Sequence, residues 1–372
     1  MTVSPAFASP RRAVGIWLLA VAALIVAMLA VGGLTRLTGS GLSITQWDPI
    51  MGALPPMTEA DWLDAFHKYQ LIPQFRLENA AMTLAGFKAI FWWEWTHRLL
   101  GRLIGFAFIV PFAWFAWMGA IRRAQWPRML LLFALGGLQG FVGWWMVESG
   151  LETRVSVSQY RLAIHLGVAV ILLGAILWTA LEYLREIPSP PSGREGKGEG
   201  AIPIAQHPLT PTLSPNGGEG VRRAWLALGF VGLVYLQMLL GALVAGLHAG
   251  LIYNTWPSMD GRLFPEHPFF ASPWWINFFE NPGLVQFDHR IGAYLVTVAA
   301  VALWWRGRGL SGFAKRSANA LLHVTFLQAA LGIATLLLQV PIWLAALHQV
   351  TAALLFCTAV WHACELRYAA KP

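Results

Sequence analysis

The stretch EWTHRLLGR (residues 94–102) and a second stretch, QFDHRIGAY (residues 286–294), decide the fold that this sequence predicts. Each contains a His-Arg dipeptide, beginning at His97 in the first and at His289 in the second, and each leads into a strongly apolar segment. The same signature at the entrance of two apolar segments indicates that the chain contains one structural unit twice.

Three further matches occur in the same order around these two stretches. GLSITQW corresponds to GLIYNTW, QGFVG to QAALG, and AIHLG to ALHQV (residues 41–47 and 250–256, 139–143 and 328–332, 163–167 and 346–350). Each match is weak alone, but four matches in one order predict a tandem duplication.

The composition indicates the environment of this repeated unit. Of the 372 residues, 57% are hydrophobic and only 12% are charged, against about 25% charged in a soluble domain. Apolar runs of about 20 residues, the length that crosses a bilayer, occur at residues 14–34, 99–120, 129–147, 162–181, 224–246, 291–305, 318–338 and 343–363. We therefore predict an all-α integral membrane protein, with eight transmembrane helices arranged as two tandem pseudo-symmetric four-helix bundles.

The predicted domain boundaries follow from a Pro/Gly/Ser-rich insert between the fourth and fifth spans. Its sequence cannot bury a core, so residues 186–222 are predicted to be a low-complexity cytoplasmic linker. Residues 1–185 then form an N-terminal half with a long outer loop at 35–95, and residues 223–372 form a C-terminal half. Within that loop, residues 58–69 have the pattern of a short amphipathic surface helix.

The placement of Lys and Arg predicts the orientation in the membrane. Most of the 26 basic residues fall on one side of the predicted spans, so both termini are predicted to be cytoplasmic. The net charge of +8 is then a topology signal and not a nucleic-acid footprint. Cys357 and Cys364 lie along the last predicted helix and at its inner end, and no outer disulfide or cysteine metal cluster is expected.

Four histidines carry the predicted chemistry: His97, His165, His289 and His348. Each is predicted to start a helix that runs from the outer to the inner side, so all four should lie near the outer face. Two helices of one bundle can present facing imidazoles, which is how helix bundles build haem sites. The pattern therefore indicates two metal or haem sites, and zinc fits less well because no Cys or second carboxylate accompanies the pairs.

The other polar residues of the spans admit simpler explanations. Arg98 and Arg290 are either interface anchors or contacts to haem propionates, and the sequence leaves both readings open. The same choice applies, with less support for the propionates, to Arg36 and Arg102. Interhelical hydrogen bonding explains Gln139 and Gln328. A structural or solvated role is expected for the remaining histidines, His67, His207, His248, His267, His323 and His362.

One difference between the two copies suggests that they have different functions. Three residues before the first histidine, the N-terminal copy has Glu94 and the C-terminal copy has Gln286. This spacing places the side chain on the histidine's face of the helix. A carboxylate takes protons or stabilises a developing cation, whereas an amide cannot take a proton. We predict that the N-terminal half is the reacting site, with Glu94 as its catalytic residue, and that the C-terminal half transfers electrons.

Taken in order, these motifs resemble the haem A synthase family. The resemblance covers nearly the whole chain outside the insert, and it includes GGLTRLTGSGLSITQWDP, EWTHRLLGR, QGFVGWWMVESGL, AIHLG, GLIYNTWPSMDG, QFDHRIGAY and LHQVTA. It implies that His289 and His348 bind the iron of haem b as axial ligands. It also implies that His97 and His165 bind haem O, the substrate.

The reaction that the resemblance implies is oxidation of one methyl group of haem O to a formyl group, which gives haem A for cytochrome oxidase. Successive hydroxylations with water as the oxygen source are implied, together with an electron acceptor that no motif specifies. Haem O synthase and oxidase assembly factors are the implied protein partners. This chain is similar to the subgroup without an outer-loop cysteine pair, so no step that uses such cysteines is expected.

Two alternatives remain open at this point. A bis-His dihaem b-type electron carrier would bind both haems without changing either of them, and it would not need the difference between Glu94 and Gln286. A haem-handling factor for oxidase assembly would tolerate loss of Glu94.

The expected location is the bacterial inner membrane, with the haem sites toward the periplasm. Small residues on the spans leave a homo-oligomer open.

Overall fold

Helices form the regular structure in the computed structural model, which describes residues 10–48, 51–152, 154–185 and 217–369. Over these ranges no strand occurs, as the sequence predicts. The helices are α1 (Pro10–Leu37), α2 (Glu59–Gln70), α3 (Pro73–Glu78), α4 (Leu84–Trp117), α5 (Trp126–Glu148), α6 (Gln159–Leu184), α7 (Gly217–Gly246), α8 (Asn277–Glu280), α9 (Pro282–Arg306), α10 (Gly312–Leu337) and α11 (Ile342–Ala369).

Seven of the described helices are long and apolar enough to cross a membrane: α1, α4, α5, α6, α7, α10 and α11. This confirms an all-α membrane protein. Helix α9 has 25 residues, which gives a length of about 37 Å at 1.5 Å per residue. It is more polar than the others because its first half contains Asp288, His289 and Arg290.

The long helices contact one another in two closed rings. In the first ring, α1 packs on α4 and α6, and α5 packs on the same two helices. In the second, α7 packs on α9 and α11, and α10 does the same. The rings meet where α1 and α6 contact α7 and α11. Small residues allow this close approach: a Cβ on Gly174 of α6 would lie 3.0 Å from Phe356 Cε1 of α11.

Two predicted boundaries are wrong. Helix α4 begins at Leu84, so the last part of the predicted outer loop is helical and His97 lies well inside the helix instead of at its start. The reason is aromatic packing, because Phe87 and Phe91 of this extension are buried against Trp62 of α2. Helix α7 begins at Gly217, inside the range predicted as linker. Residues 186–216 of that linker lie outside the described residues.

The predicted surface helix is confirmed as α2. Thr58 precedes it and forms a capping box with Asp61, in which each side chain accepts a hydrogen bond from the other's backbone N–H. The hydrogen bonds from Thr58 and Met57 hold the pKa of Asp61 below its usual value. Trp62 and Tyr69 then turn toward α4 and fix the outer segment over the end of the first ring.

Candidate functional site

The first pair of predicted histidines lies inside the first ring. His97 is on α4 and His165 is on α6. These two helices are both packed on α1 and α5 without packing directly on each other. The two imidazoles are close enough to interact electrostatically. The two histidines therefore belong to helices on opposite sides of the first ring.

The second pair repeats this arrangement in the second ring. His289 is on α9 and His348 is on α11, and both helices pack on α7 and α10. These two imidazoles also interact electrostatically. The described residues contain no group of three or more His, Cys, Asp or Glu side chains that would hold a metal ion by itself. A donor set of two imidazoles suits the axial positions of a haem iron better than a tetrahedral zinc ion.

Each of the four imidazoles lies against a glycine of a neighbouring helix. These glycines occupy equivalent positions in the repeat, and a side chain on any of them would press on the ring. A Cβ would lie 2.9 Å from the ring of His97 at Gly32, 2.9 Å from His165 at Gly143, 3.2 Å from His289 at Gly241 and 2.8 Å from His348 at Gly332. The glycines therefore set how closely each ring approaches the adjacent helix.

A methyl group at Gly143 is expected to disturb the site, whereas one at Gly140 is not. Both residues lie on α5, but a Cβ on Gly140 meets nothing within 4 Å. Alanine also favours the helix over glycine by about 1 kcal/mol, so neither change should unfold α5. We expect Gly143→Ala to weaken haem O binding at least about tenfold, measured by absorbance titration of purified protein. Equal binding by Gly143→Ala and Gly140→Ala would contradict the assigned contact.

Glutamines of neighbouring helices contact three of the four histidines. Gln139 Nε2 lies 3.1 Å from His165 Nδ1 and donates to the His165 carbonyl at 3.0 Å. Gln237 makes the same two contacts with His289, at 3.0 and 2.8 Å. The amides of Gln139 and Gln328 form the interhelical bonds predicted for them, and their partners are histidines: Gln328 Nε2 lies 3.4 Å from His348 Nε2. Sequence reasoning missed Gln237.

These glutamines also bear on whether a haem fits. Among the described residues, the buried Oε1 atoms of Gln139, Gln237 and Gln328 have no hydrogen-bond partner. An imidazole that coordinates iron through Nε2 carries its proton on Nδ1 and donates it to an outer acceptor. A rotated glutamine amide would supply that acceptor to His165 and His289. The donor set and these buried oxygens fit a haem in each ring.

Glu94 is buried, with 3% of its surface exposed, and four donors point at its carboxylate. Oε2 accepts hydrogen bonds from Ser43 Oγ at 2.8 Å and from the Ile44 N–H at 2.9 Å. Oε1 accepts from Arg98 Nη2 at 2.6 Å and Nε at 3.1 Å. The carboxylate is thus held in one position beside the helix face of His97.

Gln286 occupies the equivalent place with part of its hydrogen bonding reversed. Its Nε2 donates to the carbonyls of Ala249 at 2.9 Å and Tyr253 at 3.2 Å, while its Oε1 accepts from Arg290 Nη2 at 3.2 Å. A carboxylate here would face two carbonyl oxygens. The same position therefore requires a different side chain in each half. The first ring requires an anion there, and the second ring requires an amide.

The two arginines bind equivalent loop carbonyls. Arg98 donates to the carbonyls of Ile44 and Gln46, at 2.7 and 2.9 Å. Arg290 donates to the repeat-equivalent carbonyls of Tyr253 and Thr255, both at 3.0 Å, and also to that of Ser258 at 3.2 Å. These contacts join the matched GLSITQW and GLIYNTW segments to the histidine helices. Sequence matching found both motifs but not their contact.

The other candidates lie elsewhere. Arg102 donates to the Asp48 carbonyl at 2.9 Å. Arg36 lies in the last turn of α1, near enough to His248 to interact with it electrostatically. The remaining described histidines have structural surroundings: His362 is buried beside Ser317, His323 bonds the Asn319 carbonyl, His67 is part of α2, and His267 lies in a loop with positive φ. His207 lies outside the described residues.

Comparison with known proteins extends over the whole of this arrangement. Residues 15–360 match the family model described as "Cytochrome oxidase assembly protein". A protein named "Heme A synthase" from Parvibaculum lavamentivorans is 49% identical over 352 residues, which cover 95% of this chain and 94% of that protein. Proteins of the same name from Rhodopseudomonas palustris and a Bradyrhizobium species are 49% and 48% identical, covering 94% of this chain in both cases and 90% of each relative.

Proposed function

Because the chain belongs to the haem A synthase family, whose members are oxidoreductases that convert haem O to haem A, we propose that the conversion takes place in the first ring, beside Glu94. The observation that carries this proposal is the difference between Glu94 and Gln286. In the first ring, a buried carboxylate accepts hydrogen bonds from four donor atoms. In the second ring, an amide occupies the same position.

The proposed architecture has two halves with one function each. Residues 1–185 and 223–372 would each form a four-helix bundle, with α9 as the eighth span, and residues 186–222 would link them. The two closed rings of helices support this division. The matched contacts of Arg98 and Arg290 with equivalent loop carbonyls support a tandem repeat.

In the N-terminal half, His97 and His165 would hold the iron of haem O. Oxidation of a methyl group to a formyl group removes electrons and protons from its carbon and adds an oxygen atom. Positive charge that develops at this carbon is stabilised by a fixed anion nearby. Glu94 supplies such an anion, because Ser43, Ile44 and Arg98 prevent the carboxylate from turning away.

In the C-terminal half, His289 and His348 would bind haem b. Bound there, haem b supplies one-electron transfer. Gln286, Gln237 and Gln328 beside it are neutral, which suits a site that holds a cofactor without reacting with it.

Arg98 and Arg290 are proposed to contact propionates more weakly than a bidentate clamp would. Of the five N–H groups of a guanidinium, Arg98 uses four on Glu94 and the loop carbonyls. All four Nη N–H groups of Arg290 have partners, and its buried Nε–H alone has none. One N–H from each arginine is left for a propionate.

The proposed location is the bacterial inner membrane, with both termini in the cytoplasm and both haem sites toward the periplasm. The excess of Lys and Arg at one set of helix ends supports this orientation. Haem O and haem A are the proposed ligands that the protein exchanges with haem O synthase and the oxidase assembly factors.

The function is tested in cells that make haem O but no haem A. Expression of this chain is expected to produce haem A, identified by mass in extracted haem. A dihaem carrier or an assembly factor would leave haem O unchanged, and that result would overturn the proposal.

A further inference from the structure

The four histidine-supporting helices share one sequence pattern with a single exception. In each, the glycine that touches the ring comes four residues after another side chain, which therefore lies one turn away on the same face. That side chain is Gln139 before Gly143, Gln237 before Gly241, and Gln328 before Gly332. Before Gly32, which touches His97, it is Met28.

The exception leaves His97 without the glutamine that contacts each of the other three histidines. Gln139 and Gln237 reach Nδ1 of His165 and His289 at 3.1 and 3.0 Å. Gln328 reaches only Nε2 of His348, at 3.4 Å, and among the described residues the buried Nδ1 of His348 has no partner. Met28 instead directs its Cε toward Gly101, where a Cβ would lie 3.1 Å away. A thioether does not donate a hydrogen bond and accepts one only weakly. Within the part of the chain that the structure describes, the ring nitrogens of His97 have no hydrogen-bond partner.

The neighbouring helix shows the same difference. In the C-terminal half, Gly292 makes room for Gln237, because a Cβ there would lie 2.0 Å from Gln237 Oε1. Leu100 is the equivalent residue on α4. Two positions therefore change together, a glutamine and a glycine in one half against a methionine and a leucine in the other.

We infer that His97 is the exchangeable ligand, the side chain that releases the iron when haem A leaves and accepts it when haem O enters. This inference rests on the proposed function. Hydrogen bonds to a metal-bound histidine fix its ring orientation and raise its affinity for the metal. The repeat-equivalent ligand of the resident haem b, His289, is anchored by Gln237. A substrate haem is replaced at each turnover. Of its two proposed ligands, His165 is anchored by a glutamine and His97 is not.

The test exchanges these features between the halves. Met28→Gln combined with Leu100→Gly gives His97 the anchor and the space found beside His289, while Leu100→Gly alone is the matched control. Gln237→Met makes the reverse change. Purified proteins carrying haem O or haem b are mixed with an excess of an apo-globin that captures released haem, and the transfer rate is followed by absorbance.

We expect the double variant to release haem O about tenfold more slowly than Leu100→Gly alone, and Gln237→Met to release haem b about tenfold faster than the unchanged protein. The double variant should also retain more haem A after turnover. Equal haem O release by the double variant and its control would overturn the inference, provided the double variant still shows a bis-His spectrum. If the double variant has lost the bis-His spectrum, the Gln237→Met protein is the deciding test. Unchanged release of haem b from that protein would overturn the inference. Failure of the unchanged protein to bind haem O through His97 would instead overturn the proposed function.

Discussion

Glu94→Gln is expected to lower haem A formation at least about 10²-fold, while haem b remains bound at its normal level. The replacement removes the only charge that Ser43, Ile44 and Arg98 enclose, and with it the stabilisation of positive charge at the reacting carbon. Because His289 and His348 belong to the other ring, their haem should be unaffected. Haem A is measured by mass in extracts of expressing cells, and haem b by the absorbance of the purified protein.

This variant also disturbs the loop, because every group around Glu94 is a donor and an amide presents an NH₂ group to some of them. Ser43→Ala is the control for that effect. It removes one donor from Glu94 but keeps the carboxylate, and its counterpart in the second ring is the apolar Ile252. We expect a loss of about tenfold, as for one hydrogen bond to a charged group. Equal losses in the two variants would assign the effect to the loop and not to the charge.

His348→Ala and His165→Ala are each expected to affect the binding of only one of the two haems. The first removes one of two imidazoles in the second ring, so the reduced-minus-oxidised absorbance of low-spin haem b should fall to background. The second leaves that absorbance in place and abolishes low-spin binding of haem O, because His165 belongs to the first ring. Difference spectra of the purified proteins, with and without added haem O, measure both effects.

The outcome that counts against the account is a symmetric one. If His348→Ala and His165→Ala each removed half of every haem present, the rings would be interchangeable. Glu94 and Gln286 would then mark no difference in function.

Much of the fold is predictable from the sequence because apolar runs and repeated motifs determine it locally. The helices carrying His165 and His348 follow from the length of the apolar segments, whereas α9 begins nine residues before the predicted sixth span. The start of α4 could not be predicted in this way. Its first turns are fixed by the burial of Phe87 and Phe91 against α2, a contact between segments far apart in the chain.

The central residues of the site are predictable from the sequence, but not all of their hydrogen-bond partners are. The four histidines and Glu94 lie in recognisable motifs, but the partners of Glu94 depend on how a loop returns over the helix end. No signal in the sequence therefore identified Ser43 and Ile44 of the matched GLSITQW segment as those partners. The glutamines that contact the histidines did have a signal in the sequence. Glutamine followed four residues later by glycine occurs before Gly143, Gly241 and Gly332, and comparing the three copies would have found Gln237 and singled out Met28.

The most direct test of the central claim, that each half holds its own haem and only one haem is changed, is to identify by mass the haem bound to two double variants. The protein with His97→Ala and His165→Ala is expected to contain haem b alone. The protein with His289→Ala and His348→Ala is expected to contain haem O and no haem b. Haem b in the second protein, or its absence from the first, would contradict the account.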